Sequence, residues 1–173
     1  ITGAGGLAKT GPGILELTGP NSYAGGMVVS AGRLVADHNT ALGGGSVLVA
    51  GGAVLEVAAG RTLANTLNIQ AGGTLAGNEA LATALALGGG AILSPGTSAG
   101  MLTFTAGLAS EGGWYLWELE ALSETGPGAS YDQLVLTGGV LDLGVSSVLQ
   151  LAFPAGDPDG GDAFWDSARL WKV

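Results

Sequence analysis

The residues able to do chemistry are few and scattered. The only histidine, His38, stands between Asp37 and Asn39. A carboxylate beside an imidazole is the pairing that orients a general base. Adjacent residues of a strand point to opposite faces, however, and no serine nucleophile signature accompanies the pair, so a solvated loop is the expected setting. The acids Glu118, Glu120, Glu124 and Asp132 lie close enough in sequence to supply the two carboxyls of a glycoside hydrolase. Such a site also needs basic and aromatic groups around the acids, and Lys plus Arg number only 5 in 173 residues. Glu118 and Glu120 share one strand parity and are expected to face solvent. No catalytic residue is assigned, and the chain reads as non-enzymatic.

Cations have one candidate: Asp157, Asp159 and Asp162, in a loop with Pro158, Gly160 and Gly161, and Asp166 beyond it. Calcium takes several carboxylate and carbonyl oxygens around a sharp glycine turn. The spacing half matches the start of an EF-hand loop, lacks the bidentate Glu at its end, and misses the nonapeptide calcium repeat. A solvated turn is the reading, with no metal and no other cofactor expected. Gly43-Gly44-Gly45 lacks the Lys and Ser/Thr of a phosphate loop. The aromatics concentrate late: Trp114, Tyr115 and Trp117 in one segment, Phe164, Trp165 and Trp171 in the last. From 164 to 173 both parities carry apolar residues, which implies a cover on the outer face. That cover is either the preceding loop or a partner held by Trp114, Trp117, Trp165 and Trp171 as aromatic anchors.

The elements that position these residues follow from composition and period. Glycine fills 34 positions and only 11% of residues are charged, against about a quarter in an ordinary globular chain. Disordered chains combine low hydrophobicity with high charge, so disorder is excluded. The formal net charge of −9 excludes the Lys/Arg clusters that nucleic acid requires and disfavours anionic membranes. Cysteine is absent, which removes disulfides and thiolate sites. No apolar run reaches the length of a membrane span.

A turn of one or two glycines followed by a short apolar strand recurs along the chain. The leucines at 34, 55, 75, 93, 116 and 141 mark it at roughly 20-residue intervals, within the range of solenoids. Inside each unit apolar residues alternate: Leu55 and Val57 about Glu56, Leu67 and Ile69 about Asn68, Leu102 and Phe104 about Thr103. This period of two is that of half-buried strands. The Ala/Leu-rich stretch from Asn78 to Leu87 invites a helix capped by Asn78. Leu81, Thr83, Leu85 and Leu87 nevertheless share one parity, and a helix would break the stack, so strand is the reading.

The run from Gly6 to Leu34 resembles the autotransporter-associated β-strand repeat. It carries Lys9-Thr10-Gly11, an alternating strand, the corner Asn21-Ser22-Tyr23-Ala24-Gly25-Gly26, a second strand and the step Ala31-Gly32-Arg33-Leu34. Ser94-Pro95-Gly96 and Tyr131-Asp132-Gln133-Leu134 are similar to later steps of such passengers. The resemblance implies a β-helical passenger exported across an envelope and displayed outside the cell, with repeats that assist export and folding. No carboxy-terminal membrane barrel is legible, so self-transport is not expected of these residues.

The expectation is an all-β, right-handed parallel β-helix of about seven or eight coils, forming one domain over 1–173. Residues 154–173 form a divergent final rung with the acidic loop, and the whole is a piece of a longer repeat protein. Asn21 is expected to tolerate left-handed geometry, and Pro12, Pro20 and Pro95 to lie in turns. The function implied is an extracellular or cell-surface structural rod. Its partners would be itself, end to end or through further rungs, since solenoid ends expose unpaired strand edges. The alternative is an adhesin binding glycan or protein through the Trp-rich rungs.

Overall fold

The computed structural model describes residues 1–154 with Gly156, Phe164, Ala168 and Arg169. The candidate cation ligands Asp157, Asp159 and Asp162 lie outside the described residues, as do Trp165 and Trp171.

Short strands wind in levels. Level one holds β1 (Thr2–Gly3), β2 (Leu7–Lys9) and β3 (Ile14–Leu17), and level two β4 (Ser22–Tyr23), β5 (Met27–Val29) and β6 (Arg33–Ala36). Level three has β7 (Val47–Val49) and β8 (Val54–Val57), and level four β9 (Thr62–Leu63), β10 (Leu67–Ile69) and β11 (Thr74–Gly77). Level five follows with β12 (Ala80–Leu81), β13 (Leu85–Leu87) and β14 (Ile92–Pro95). Level six has β15 (Met101–Phe104), β16 (Leu108–Ser110) and β17 (Trp114–Glu118). Level seven has β18 (Gln133–Leu136), β19 (Leu141–Asp142) and β20 (Val148–Ala152).

Strands of successive levels pair in parallel. One seven-stranded sheet runs β2-β5-β7-β10-β13-β16-β19 and a second β3-β6-β8-β11-β14-β17-β20. The third side is built by the pair β1-β4 and by the four strands β9-β12-β15-β18. Seven levels enclose about six complete turns of a parallel β-solenoid. The Ala/Leu-rich stretch is two strands, β12 and β13, with Leu81, Leu85 and Leu87 inside. Its parity prevails over its helix propensity because each strand finds partners above and below.

The interior is a ladder of like residues. Leu15, Leu34, Leu55, Leu75, Leu93, Tyr115 and Leu149 stand in register through the second sheet. On the third side Leu63, Leu81, Phe104 and Leu136 do the same. Each fully buried leucine contributes about 1.5–3 kcal/mol, and a level buries its inner face only against its neighbours. Two members of the 20-residue leucine series do not belong to this ladder. Leu116 lies one residue past Tyr115, opposite Gln150, and Leu141 belongs to the first sheet, opposite Leu108. A slip of one residue changes the face a side chain occupies, and the excursion 119–132 between β17 and β18 displaces the spacing of the last level.

The corners depend on glycine where the chain crowds itself. Gly32 has φ 69°, and a Cβ there would meet the Gly13 and Gly11 carbonyl oxygens at 2.5 and 2.6 Å. Among the described residues every positive φ belongs to glycine, so Asn21 is not left-handed. Its amide instead donates to the Ala41 carbonyl at 2.6 Å and ties level two to level three. Asn65 is buried and its amide donates to the Gly43 and Gly45 carbonyls at 3.1 and 2.8 Å. Pro95 departs from the expected turn: it is the last residue of β14, opposite Gly77, where a strand end tolerates its missing donor.

Lys9 is the unexpected interior charge. It is buried, and its ammonium donates to the carbonyls of Thr10, Gly11 and Ala31 at 3.1, 2.7 and 3.0 Å. The Lys-Thr-Gly turn thus pins its own carbonyls and the next level's with one cation. Charged hydrogen bonds of this kind are each worth about 1.5–3 kcal/mol. Lys9→Ala is expected to speed amide exchange at Lys9–Gly11 and Ala31 while leaving level five unchanged. Uniform exchange across the chain would show that the lysine does not act locally.

Candidate functional site

The densest grouping of polar and aromatic side chains lies where level six passes to level seven. β17 ends with Trp117 and Glu118, and the excursion 119–132 leaves the solenoid and returns at Tyr131 and Asp132. Leu119 and Tyr131 close its neck as an antiparallel bridge. Trp117, Leu119 and Tyr131 form a second small core, against which Tyr115, Leu122, Phe153 and Phe164 pack. The Trp117 and Tyr131 ring centroids are 6.1 Å apart with a 36° tilt.

Asp132 is the centre of this corner and has no solvent exposure. Its Oδ1 accepts from the Gly100 amide at 2.7 Å and its Oδ2 from the Glu118 amide at 3.0 Å. Its carbonyl accepts from Trp117 Nε1 at 2.8 Å. One carboxyl therefore joins the Ser-Pro-Gly corner, β17 and the start of β18. Burial pushes the carboxyl up to about 7, opposed by the two amide bonds and reinforced by Glu118 and Glu120. Burial also raises Glu118, with Glu120 adding to the effect, and raises the Tyr115 phenol, with Asp132 adding.

These positions revise the reading of the acids. Glu118 and Glu120 are half-buried where solvent-facing acids were expected, and Asp132 is a buried strut that accepts backbone amides. Glu124 lies on the excursion, with its Oε2 3.9 Å from Arg169 Nη1. The Asp37–His38 pair is not assembled either. Asp37 Oδ1 accepts from Arg61 Nε at 2.9 Å, while His38 Nδ1 meets the Thr40 amide and hydroxyl at 3.1 Å each. Among the described residues no group of three His, Cys, Asp or Glu side chains is arranged to hold a metal ion. No helix among them is long and apolar enough to cross a membrane.

The aromatic anchors separate. Trp114 is 43% exposed on the outer face, in register with Val148 at 41%. Trp117, expected to serve as an outer anchor, is 3% exposed and committed to Asp132. Its parity explains the difference, because 115, 117 and 119 face inward while 114 faces out. Beside Trp114, between levels six and seven, lies an apolar cavity of about 380 Å³ lined by residues that include Leu108, Tyr115, Leu134, Leu141 and Leu149.

Lys9, Asn65 and Glu79 are buried polar residues without a place in the sequence-based site. Parity carried the signal for Glu79, which shares the inward row of Leu81, and for Lys9, which shares that of Leu7.

Residues 7–36 match the passenger-associated-transport-repeat. The matched segment covers β2 to β6, including the Lys9 pin, the Asn21 corner and the Gly32 turn. Over 147 residues, 82% of its length, the chain is 37% identical to an adhesin, BmaC autotransporter, of Brucella suis biovar 1 (strain 1330). It spans 4% of the length of that relative. The tandem parallel levels, the matched repeat and the likeness to a surface passenger agree: the chain belongs to the autotransporter passenger repeat proteins, β-solenoids displayed outside the cell at its surface.

Proposed function

We propose that this segment is a non-catalytic spacer of a long surface passenger. The observation that carries this reading is the continuous in-register pairing of the second sheet, from Leu15 to Leu149. Parallel backbone bonds and one interior ladder run through all seven levels. Such a stack holds two ends at a fixed separation. The separation of Asp37 from His38 and the commitment of the buried Asp132 carboxyl to two backbone amides are consistent with a passive role.

The rod also carries a joining face. At level seven Leu149 and Leu151 are half exposed, and the outer edges of β18, β19 and β20 have no strand beyond them among the described residues. Either a further rung of the chain or a second copy would continue the two long sheets. Light scattering and electron microscopy over a concentration series separate these. Lengthening rods mean self-stacking, and rods of constant length mean that covalent rungs do the joining.

Adhesion is the second reading, favoured by exposed Trp114 and by the adhesin named as a relative. Binding of the purified chain to glycan arrays and matrix-protein panels tests both. The spacer reading expects no saturable binding, whereas saturable binding abolished by Trp114→Ala would replace it with adhesion.

A further inference from the structure

The fifth level contains a carboxyl group that neither the fold nor the proposed role uses. Glu79 sits at the corner between β11 and β12 and is 5% exposed. Neither of its carboxyl oxygens has a hydrogen-bond partner. It shares the inward row of Leu81 and, one residue before Ala80, stands in register with Arg61 of the level below and Leu102 of the level above. The backbone makes room for it: Gly77 has φ 135°, and a Cβ there would run into both the Val57 carbonyl oxygen and Glu79 Oε2. The carboxyl and that carbonyl are therefore near neighbours over a glycine. Two bare acceptor oxygens so placed repel each other, whereas a carboxylic acid has a hydrogen to place between them.

The charges around it offer no alternative partner. From the segment before β9 comes Arg61, whose guanidinium is held by Asp37 at 2.9 Å. From β8 comes Glu56, paired with Arg33 of β6. β11, β12, β14 and β15 carry no ionisable side chain. A buried carboxylate with neither a cation nor a donor is costly and neutralises instead.

We propose that the fifth level closes only by taking up a proton on Glu79, which makes this corner a pH-sensitive joint in the middle of the rod. In the closed stack the acid O–H faces the Val57 carbonyl. When the proton leaves, the corner from Ala76 to Leu81 lifts from β8 and β9 to let water reach the carboxylate, and the levels on either side stay wound. Because the unfolded chain ionises near the ordinary value of 4.5 while burial pushes the folded group up to about 9, the folded state holds the extra proton between those limits. Stability from this group is complete below about pH 4.5, declines across that window, and is fully lost above about pH 9.

The test is hydrogen exchange of the intact chain from pH 5 to 10, corrected for base-catalysed intrinsic exchange, with Glu79→Gln and Glu79→Leu alongside. In the wild type the opening constant at Val57–Ala58 and Gly77–Leu81 should rise by up to about tenfold per pH unit until about pH 9. Either variant should flatten that rise, and peptides of level two should show none of it in any protein. A wild-type corner whose opening is independent of pH would overturn the proposal. So would a foldable variant that keeps the full rise. If neither variant folds, the wild-type profile at this corner against that of level two decides alone.

Discussion

Asp132→Ala is expected to lower the unfolding free energy by about 2–5 kcal/mol, the cost of leaving two backbone donors without an acceptor. The donors are the Gly100 and Glu118 amides, bound at 2.7 and 3.0 Å by a side chain with no solvent exposure. The effect depends on pH. The carboxyl ordinarily titrates at 3.8 and is pushed up to about 7 in the fold. The folded state therefore binds the proton more tightly, and this contribution to stability is lost as pH rises from about 3.8 through about 7. The variant lacks the group, so its deficit should be larger at pH 5 than at pH 8. Asp132→Asn should fall between, because an amide keeps one acceptor and turns a donor toward the other N–H. Urea denaturation at the two pH values gives the numbers. Near-ultraviolet dichroism gives the place, since Trp117 is bonded to the Asp132 carbonyl. An equal deficit at both pH values would mean that the carboxyl is not buried in the way described.

Leu75→Ala is expected to cost about 2–5 kcal/mol, the range of a leucine removed from a packed core that collapses only in part. Leu75 is fully buried, with Leu55 in register on one side and Leu93 on the other. The cavity it leaves touches two level interfaces, and in a solenoid the interface is what holds a level in place. Leu149→Ala removes the same atoms from the same ladder at level seven, where the side chain is 50% exposed. That variant should cost less than half as much. The contrast separates position from residue type, and equal losses in urea denaturation would contradict a core closed only by its neighbours. Exchange after Leu75→Ala should loosen levels three to five first, leaving the Lys9 pin and the Asp132 corner protected.

Sequence period, glycine spacing and alternation determined the class of fold. The parallel stack, the strand state of Ala80–Leu81 and Leu85–Leu87 and the interior set of Leu55, Leu75, Leu81 and Phe104 all follow from which parity is apolar. A solenoid allows this because each level repeats one local pattern and contacts only adjacent levels, so short-range order and tertiary order coincide. The family was legible for the same reason, since Lys9-Thr10-Gly11 and the Asn21 corner are successive turns of one level.

The tertiary structure alone decided how the levels align and what the polar residues do. Leu116 and Leu141 satisfied the spacing and missed the ladder, because pairing of β17 with β14 and β20 puts Tyr115 in the ladder position and pairing of β19 with β16 places Leu141 in the first sheet. Trp117 and Trp114 are equal as letters; one faces the stack and the other water. Asp132 read as a candidate acid and became a strut once Gly100 and Glu118, distant from each other in sequence, brought two amides to it. Glu79 interrupts an Ala/Leu-rich run in the sequence and lies inside the stack. Alternation along a strand fixes a side chain's parity, but only the levels above and below determine whether a partner awaits it there.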